Sequence, residues 1–356
     1  MTQGNPAWKG AGPISVTIKE IAERTGLSWP TVSQVLSGKG QRYSAETRRK
    51  IVVAAREMDY RPNRFARAVR SGRFGCAALL LSNESGRSAL PADLLRGIHD
   101  ALAGRDMNLT LAVLPDEKLT HEGFVPNILR EWMADGLLIN YTDHIPHRMI
   151  ELIREYQLPS VWLNCRLEAD CVRPDDFEAG RAATRLLLDL GHRDIAYVDF
   201  VWGHEDIGEA HYSVRDRQAG YEQGMRDAGL KPRVVRQARG VRPPQRHRYL
   251  ERLLRSPDRP SAIVRYATSP ELWLLVERAG LRVPEDLSMV SFANEVETVC
   301  GVPITTFCLP QRELGAAAVE MLTARIAKPR KALPPRALPF TLALGRTTGP
   351  PPPARR

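Results

Sequence analysis

At 356 residues the chain is too long for one ordinary domain and fits two or three. Its hydrophobic content of 43% excludes wholesale disorder, and its net charge of +10 points towards a polyanionic partner. Five cysteines, odd in number and without a CxxC pair, argue against a disulfide scaffold or a zinc site, and the absence of any run near 18 apolar residues argues against a membrane span.

The charge is concentrated. Residues 1–75 hold 14 Lys and Arg against 5 Asp and Glu, a balance of +9, while the other 281 residues carry +1. The first 15 residues, Gly- and Pro-containing and aperiodic, read as a flexible lead-in without the apolar core of a signal peptide, which suits a cytoplasmic, nucleoid-associated location. Ile18, Ile21 and Ala22 then form the apolar stripe of a short helix, Gly26 supplies a permissive turn and Leu27 plugs the angle. Ser28 caps a second helix whose Val32, Val35 and Leu36 face inward. Helix, tight turn and helix at this spacing is the helix-turn-helix arrangement, whose second helix enters the DNA major groove. Trp29, Pro30, Thr31, Ser33, Gln34 and Ser37 are left outward as a reading face. Ser44 caps a third helix, Ala45 to Met58, whose Ile51, Ala54, Ala55 and Met58 close a three-helix core. The basic stretch from Arg61 to Arg73 is either a linker or a short helix, with Pro62 able to open it and Gly72 to end it.

The runs VTIKEIA, GLS-x-x-TVS-x-VLSGKG, SAETRRKI and YRPN-x-x-AR-x-x-R-x-GR make residues 16–75 resemble the DNA-binding headpiece and hinge of the lac repressor (LacI/GalR) family. The resemblance implies that Thr17, Ser28, Thr31 and Ser33 meet phosphates or base edges, and that Trp29, Pro30 and Gln34 occupy the three positions that choose bases. Gln34 stands where the family most often has Arg, and an amide suits adenine better than guanine. The resemblance further implies a hinge that folds on a double-stranded operator in a homodimer and wedges the minor groove open; by position the wedge is Val69, flanked by Arg67 and Arg70. Trp29 as a core residue and Gln34 as a solvated surface residue are the plain alternatives, and Arg48, Arg49 and Lys50 suit a solvated face as well as phosphate contact.

From Cys76 onward, short apolar runs alternate with helical stretches. The strand-like runs span 76–82, 109–114, 136–140, 160–164, 194–200, 262–264, 287–292 and 340–344. Helices are expected at 92–104, 125–134, 147–156, 179–191, 217–229, 248–256, 269–280 and 312–326. Such alternation means parallel sheets covered by helices on both faces. The expected chain is therefore multidomain: an all-α headpiece (16–60), a hinge (61–74), and an α/β core (75–345). The resemblance gives that core two doubly wound parallel-sheet lobes, similar to a periplasmic binding protein. Residues 346–356, ending in GPPPPARR, read as a disordered proline-rich tail.

The family binds small-molecule effectors between such lobes. SVRDRQAGY (213–221) resembles the segment whose second Arg, here Arg217, grips the ligand, and an interlobe salt bridge is the competing role. DDFEAG (175–180), containing Asp176, resembles another interlobe motif. GRSALP (86–91), with Leu90, replaces the usual turn after the first strand, and the carboxylate-bearing turn has become Ser291–Asn294. Loss of those acids, with Arg265 and Arg217 present, tilts the cleft from neutral sugars towards an anionic ligand or none. No cofactor and no metal are expected: His121, His192, His204 and His211 lack ligand spacing, and no phosphate-binding loop, dinucleotide fingerprint or Gly-x-Ser-x-Gly elbow marks an enzyme. The leading reading is a sequence-specific transcriptional repressor with possible small-molecule control; the rival is a receptor with a vestigial headpiece.

Overall fold

The computed structural model describes residues 16–61, 72–84, 87–114, 134–142, 145–199, 211–236, 243–267 and 270–353. The hinge positions Arg67, Val69 and Arg70, the lead-in 1–15 and most of the helix expected at 125–134 lie outside the described residues. The chain divides into two compact units, Met1–Phe74 and Gly75–Arg356.

In the first unit, helices α1 (Ile18–Thr25), α2 (Trp29–Leu36) and α3 (Ala45–Glu57) enclose Ile21, Ala22, Val32, Ile51, Ala54 and Ala55. Each helix has a side-chain cap, from Thr17, Ser28 and Ser44 in turn. Caps matter at this size because helices of eight residues are marginal in water by themselves.

The second unit holds two sheets of matching strand order, parallel throughout except for β14, which pairs antiparallel with β12. The first contains β1 (Cys76–Ser82), β2 (Asn108–Leu114), β3 (Gly136–Asn140), β4 (Ser160–Leu163), β5 (Cys171–Pro174) and β13 (Arg336–Leu338), in the order β13-β5-β4-β3-β1-β2. The second contains β6 (Ile195–Asp199), β7 (Arg233–Arg236), β8 (Ala262–Arg265), β9 (Ser288–Ala293), β12 (Thr305–Cys308) and β14 (Thr341–Ala343), in the order β14-β12-β9-β8-β6-β7. A small antiparallel ribbon, β10 (Thr298–Val299) with β11 (Val302–Pro303), lies between β9 and β12 in sequence.

Period-2 alternation feeds a core on each sheet face. Along β1, Ala77 and Leu79 enter one cluster with Leu94, Ile98 and Leu322, while Ala78 and Leu80 enter another with Met149 and Leu152. Along β6, Ile195 and Tyr197 pack with Leu187 and Tyr221, and Ala196 and Val198 pack with Leu250 and Trp273. Burial on both faces explains why these strands read as continuous apolar runs. The covering helices are α4 (Ala92–Ala103), α5 (His147–Glu155), α6 (Asp176–Asp189), α7 (Tyr212–Asp227), α8 (Pro243–Arg255), α9 (Pro270–Arg278) and α10 (Gln311–Ala327).

The chain crosses between the sheets three times: from β5 into α6, from β12 into α10, and from β13 to β14. The helices beside these crossings touch backbone to backbone. A Cβ at Gly180 of α6 would meet the Arg217 carbonyl of α7, and one at Gly220 would meet that of Phe177.

Residues 346–353 correct the expected disordered tail. The chain end runs along the second sheet, where Thr347 is fully buried and its hydroxyl donates to the Met289 carbonyl at 2.7 Å. Nε2 of His192 donates to the Gly349 carbonyl at 3.0 Å, while Nδ1 lies 2.8 Å from the Ser261 hydroxyl. Proline content suggested a free tail, but prolines cost an ordered strap little, since their φ is already fixed. Burial pushes the His192 pKa below the usual histidine value of 6.5, against the pull of the Gly349 carbonyl. The folded strap therefore holds a neutral imidazole, while the unfolded chain takes up a proton. Stability from this site is full above about 6.5 and falls as pH drops below it. His192→Ala is expected to cost about 1–3 kcal/mol near neutral pH and to flatten that dependence, as read by urea unfolding across pH.

Candidate nucleic-acid interface and ligand cleft

The reading face begins with its scaffold. Thr17 accepts from the Glu20 amide at 3.3 Å, and the Thr17 amide donates to Glu20 at 2.6 Å, completing a capping box. The Thr17 backbone donor holds the Glu20 carboxyl below its ordinary pKa. Gly26 ends α1 with φ of +68°, a left-handed conformation that favours glycine. Ser28 accepts from the Thr31 amide at 3.4 Å, and the two hydroxyls lie 2.8 Å apart. Thr17 and Ser28 thus cap their helices, and Thr31 is tied to Ser28, at positions expected to meet phosphates or base edges.

The inward side of α2 buries Val32 fully. Its other side carries Trp29, Pro30, Thr31, Ser33, Gln34 and Ser37. Trp29 is 47% exposed and outside the three-helix core, which excludes its plain core alternative. Pro30 and Ser37 are exposed, and Thr31, Ser33 and Gln34 are half-buried. Arg48, Arg49 and Lys50 project from α3 into solvent.

Sequence periodicity missed a network at this face. Arg42 Nη2 donates to the Tyr43 hydroxyl at 2.8 Å, and that hydroxyl donates to Gln34 Oε1 at 3.1 Å. The Arg42 guanidinium also stands 5.0 Å from the centroid of the Tyr43 ring. Arg42 lowers the Tyr43 pKa by donating to its oxygen. A basic–aromatic pair in the loop between α2 and α3 was the only available signal.

In the second unit, residues past the carboxyl end of β4 in the first sheet meet the start of α7, the helix that follows β6 of the second sheet. Asn164, just past β4, accepts from the Tyr212 hydroxyl at 3.0 Å through its side chain and from His211 Nε2 at 2.8 Å through its carbonyl. Arg166 Nη1 bonds Asp216 of α7 at 2.7 Å. Burial raises the Asp216 pKa, against the pull of Arg166.

The expected effector residues separate into two groups. Arg217 is buried and donates through Nε to Asp176 at 2.7 Å and through Nη1 to the Tyr266 carbonyl at 2.8 Å. Its guanidinium also faces the rings of Tyr266, Phe292 and Phe340 at 4.7, 5.0 and 5.5 Å. Burial would pull its pKa down, but Asp176 outweighs that and holds it above the usual value. Asp176 and Arg217 sit on α6 and α7, helices that cover the same sheet, so the pair lies within one lobe and does not bridge two. Asn294 accepts from Gln311, at the second crossing, at 2.8 Å. Leu90 packs against the first lobe's core, in a loop tied down where Asn140 Nδ2 donates to the Ala89 carbonyl at 2.7 Å. Arg265 stands apart: it is 2% exposed, and none of its guanidinium nitrogens has a partner. Among the described residues, no cluster of His, Cys, Asp and Glu could hold a metal ion, and no helix is long and apolar enough to cross a membrane.

Comparison with known proteins agrees with both units. Residues 17–63 match the family described as bacterial regulatory proteins, lacI family, and residues 184–348 match the periplasmic binding protein-like domain. The HTH-type transcriptional repressor PurR of Erwinia tasmaniensis is 26% identical over 324 residues, covering 88% of this chain and 92% of that protein. PurR of Edwardsiella ictaluri matches with the same identity and coverage. Among solved structures, the lac repressor dimer bound to operator and the anti-inducer ONPF superposes with a TM-score of 0.71 at 21% identity, over 94% of this chain and 99% of that one. A transcriptional regulator CelR–cellobiose complex gives 0.58 at 22% identity, over 93% and 99%. A capped helix-turn-helix unit of the lacI family thus stands ahead, in sequence, of a two-lobed core like a periplasmic binding protein, the domain arrangement of lacI-type DNA-binding transcriptional repressors such as PurR.

Proposed function

We propose that the chain is a cytoplasmic repressor that binds a pseudo-palindromic operator as a homodimer, with a small molecule in the interlobe cleft biasing its affinity for DNA. The observation that carries this reading is the division of labour on α2: Val32 closes the headpiece core while Trp29, Pro30 and Gln34 face outward. A vestigial headpiece has no reason to keep three capped helices, a closed core and a balance of +9 over residues 1–75. The direct bonds between Asn164 or Arg166 and α7 support a core whose lobes reorient when a ligand replaces some of those contacts.

Sequence selection from randomised duplexes, followed by gel-shift titration, tests the proposal. The selected duplex is expected to be a two-fold repeat bound at least about 10³-fold more tightly than competitor DNA. Affinity should fall steeply with salt, with a log–log slope near −0.9 per phosphate neutralised. Equal affinity for all duplexes, or none, would favour a small-molecule receptor instead.

A further inference from the structure

Arg265 is the last residue of β8, and its environment is incomplete. A guanidinium has five N–H donors and no acceptor, and it keeps its charge inside a protein. Here it is 2% exposed and all three nitrogens lack partners. Burial drags its pKa down to about 10, and Glu297 opposes this only through space. Glu297 is itself exposed, so it does not supply the buried contact. Removing one partner of a buried ion pair is strongly destabilising, and a lone buried cation is the same situation.

Two further observations locate the missing partner. The register sets Arg265 beside Val198 of β6, and the strands run β7-β6-β8-β9, so the order reverses between β6 and β8. In doubly wound sheets the crevice outside the carboxyl ends of the strands takes its ligand at such a reversal. The second observation is Trp273, on the first turn of α9, which is 5% exposed and whose Nε1 also lacks a partner. It packs with Ile263 on the sheet face to which alternation along β8 directs Arg265. Both orphaned groups are donors.

We infer that the crevice of the second lobe takes an anionic small molecule whose carboxylate or phosphate group is held by Arg265. This rests on the reading of the core as an effector-binding unit and names the chemical class of that effector. The fork of a guanidinium matches two oxygens of a carboxylate or phosphate, and a neutral sugar leaves the charge unbalanced. Arg217 does not compete for this role, since Asp176 already neutralises it.

Thermal unfolding of the full chain tests the inference, with inorganic phosphate, succinate, citrate and glucose 6-phosphate as probes against sodium chloride of equal ionic strength. At least one probe should raise the wild-type midpoint, since ligand at a hundredfold excess over Kd multiplies the folding constant about 100-fold. Arg265→Met should ignore that probe and, in chloride, should unfold at a higher temperature than wild type, because it removes an unpaired buried charge. Arg265→Gln serves if the methionine variant fails to fold. The inference is overturned if no probe shifts the wild type, if the variant responds equally, or if the variant is less stable than wild type in chloride. Gel shifts on the same preparations separate the two readings: lost duplex selectivity counts against the regulator, whereas intact selectivity without an anion response counts against Arg265 as an anion receptor.

Discussion

Arg217→Met is expected to destabilise the core by about 3–5 kcal/mol, the usual cost of breaking a buried ion pair from one side. The substitution leaves Asp176, 1% exposed, with an uncompensated carboxylate and strips a donor from the Tyr266 carbonyl. It also removes the cation from among Tyr266, Phe292 and Phe340, where a desolvated cation–π contact adds to the loss. The double variant Asp176→Asn/Arg217→Met should recover part of the difference, because neither charge is then orphaned. Denaturant unfolding followed by tryptophan fluorescence reads the core, while duplex binding below the transition should stay near wild type. A loss under about 1 kcal/mol, with the response to effector abolished, would falsify the structural role and return Arg217 to the ligand.

If Gln34 reads a base as proposed, Tyr43→Phe is expected to flatten the preference at that base pair. Arg42 donates into the phenol oxygen, so the phenol's own proton is directed to Gln34 Oε1. That bond fixes which end of the amide is carbonyl and which is NH2. An amide held this way keeps its two NH2 protons and one oxygen lone pair for the groove, the set that matches adenine N7 and N6. A good bidentate contact is worth about 1–3 kcal/mol of discrimination, so Gln34→Ala should lose roughly 5- to 150-fold in preference. Holding a glutamine in place saves about 0.5–1.5 kcal/mol of ordering, so Tyr43→Phe should lose roughly 2- to 10-fold. Affinity for random duplex, set by phosphates, should change little. In a Gln34→Ala background Tyr43→Phe should do nothing further. An equal loss in both backgrounds would show that the tyrosine acts elsewhere.

The apolar runs of β1, β3, β6 and β9 announced both sheets because burial on two faces leaves no room for polar alternation. The strands that did not announce themselves are short or polar. CVRP of β5 has four residues including Arg and Pro, and RVVR of β7 is an edge strand with Arg at both ends. In β12, Thr305 and Thr306 are fully buried, yet their hydroxyls are satisfied by Thr348 and by the Ile304 carbonyl. The headpiece was legible down to its caps, which lie within three residues of what they cap. The surroundings of the expected effector residues were not, because the pairings there are remote in sequence: Asp176 with Arg217, Asn294 with Gln311 and Arg166 with Asp216. Family motifs placed Arg217 near a ligand, and only the fold shows its Nε and Nη1 donating to Asp176 and to the Tyr266 carbonyl. Arg265 was visible as a cation beside a strand end, but its lack of a partner is a property of packing.

The strap formed by residues 346–353 sets the order in which a newly made chain can finish. Lobe one waits for α10 and β13, and lobe two waits for β14 and then for Thr347, which accepts from the Met289 amide at 2.6 Å. Neither lobe is whole until β13, β14 and Thr347 have been made, whereas residues 16–60 are made long before them. Domains fold as units behind the ribosome, N-terminal first. A nascent polypeptide therefore carries a finished DNA-reading head while both lobes are still being made, and a stop before Thr347 would release that head joined to a core unable to close.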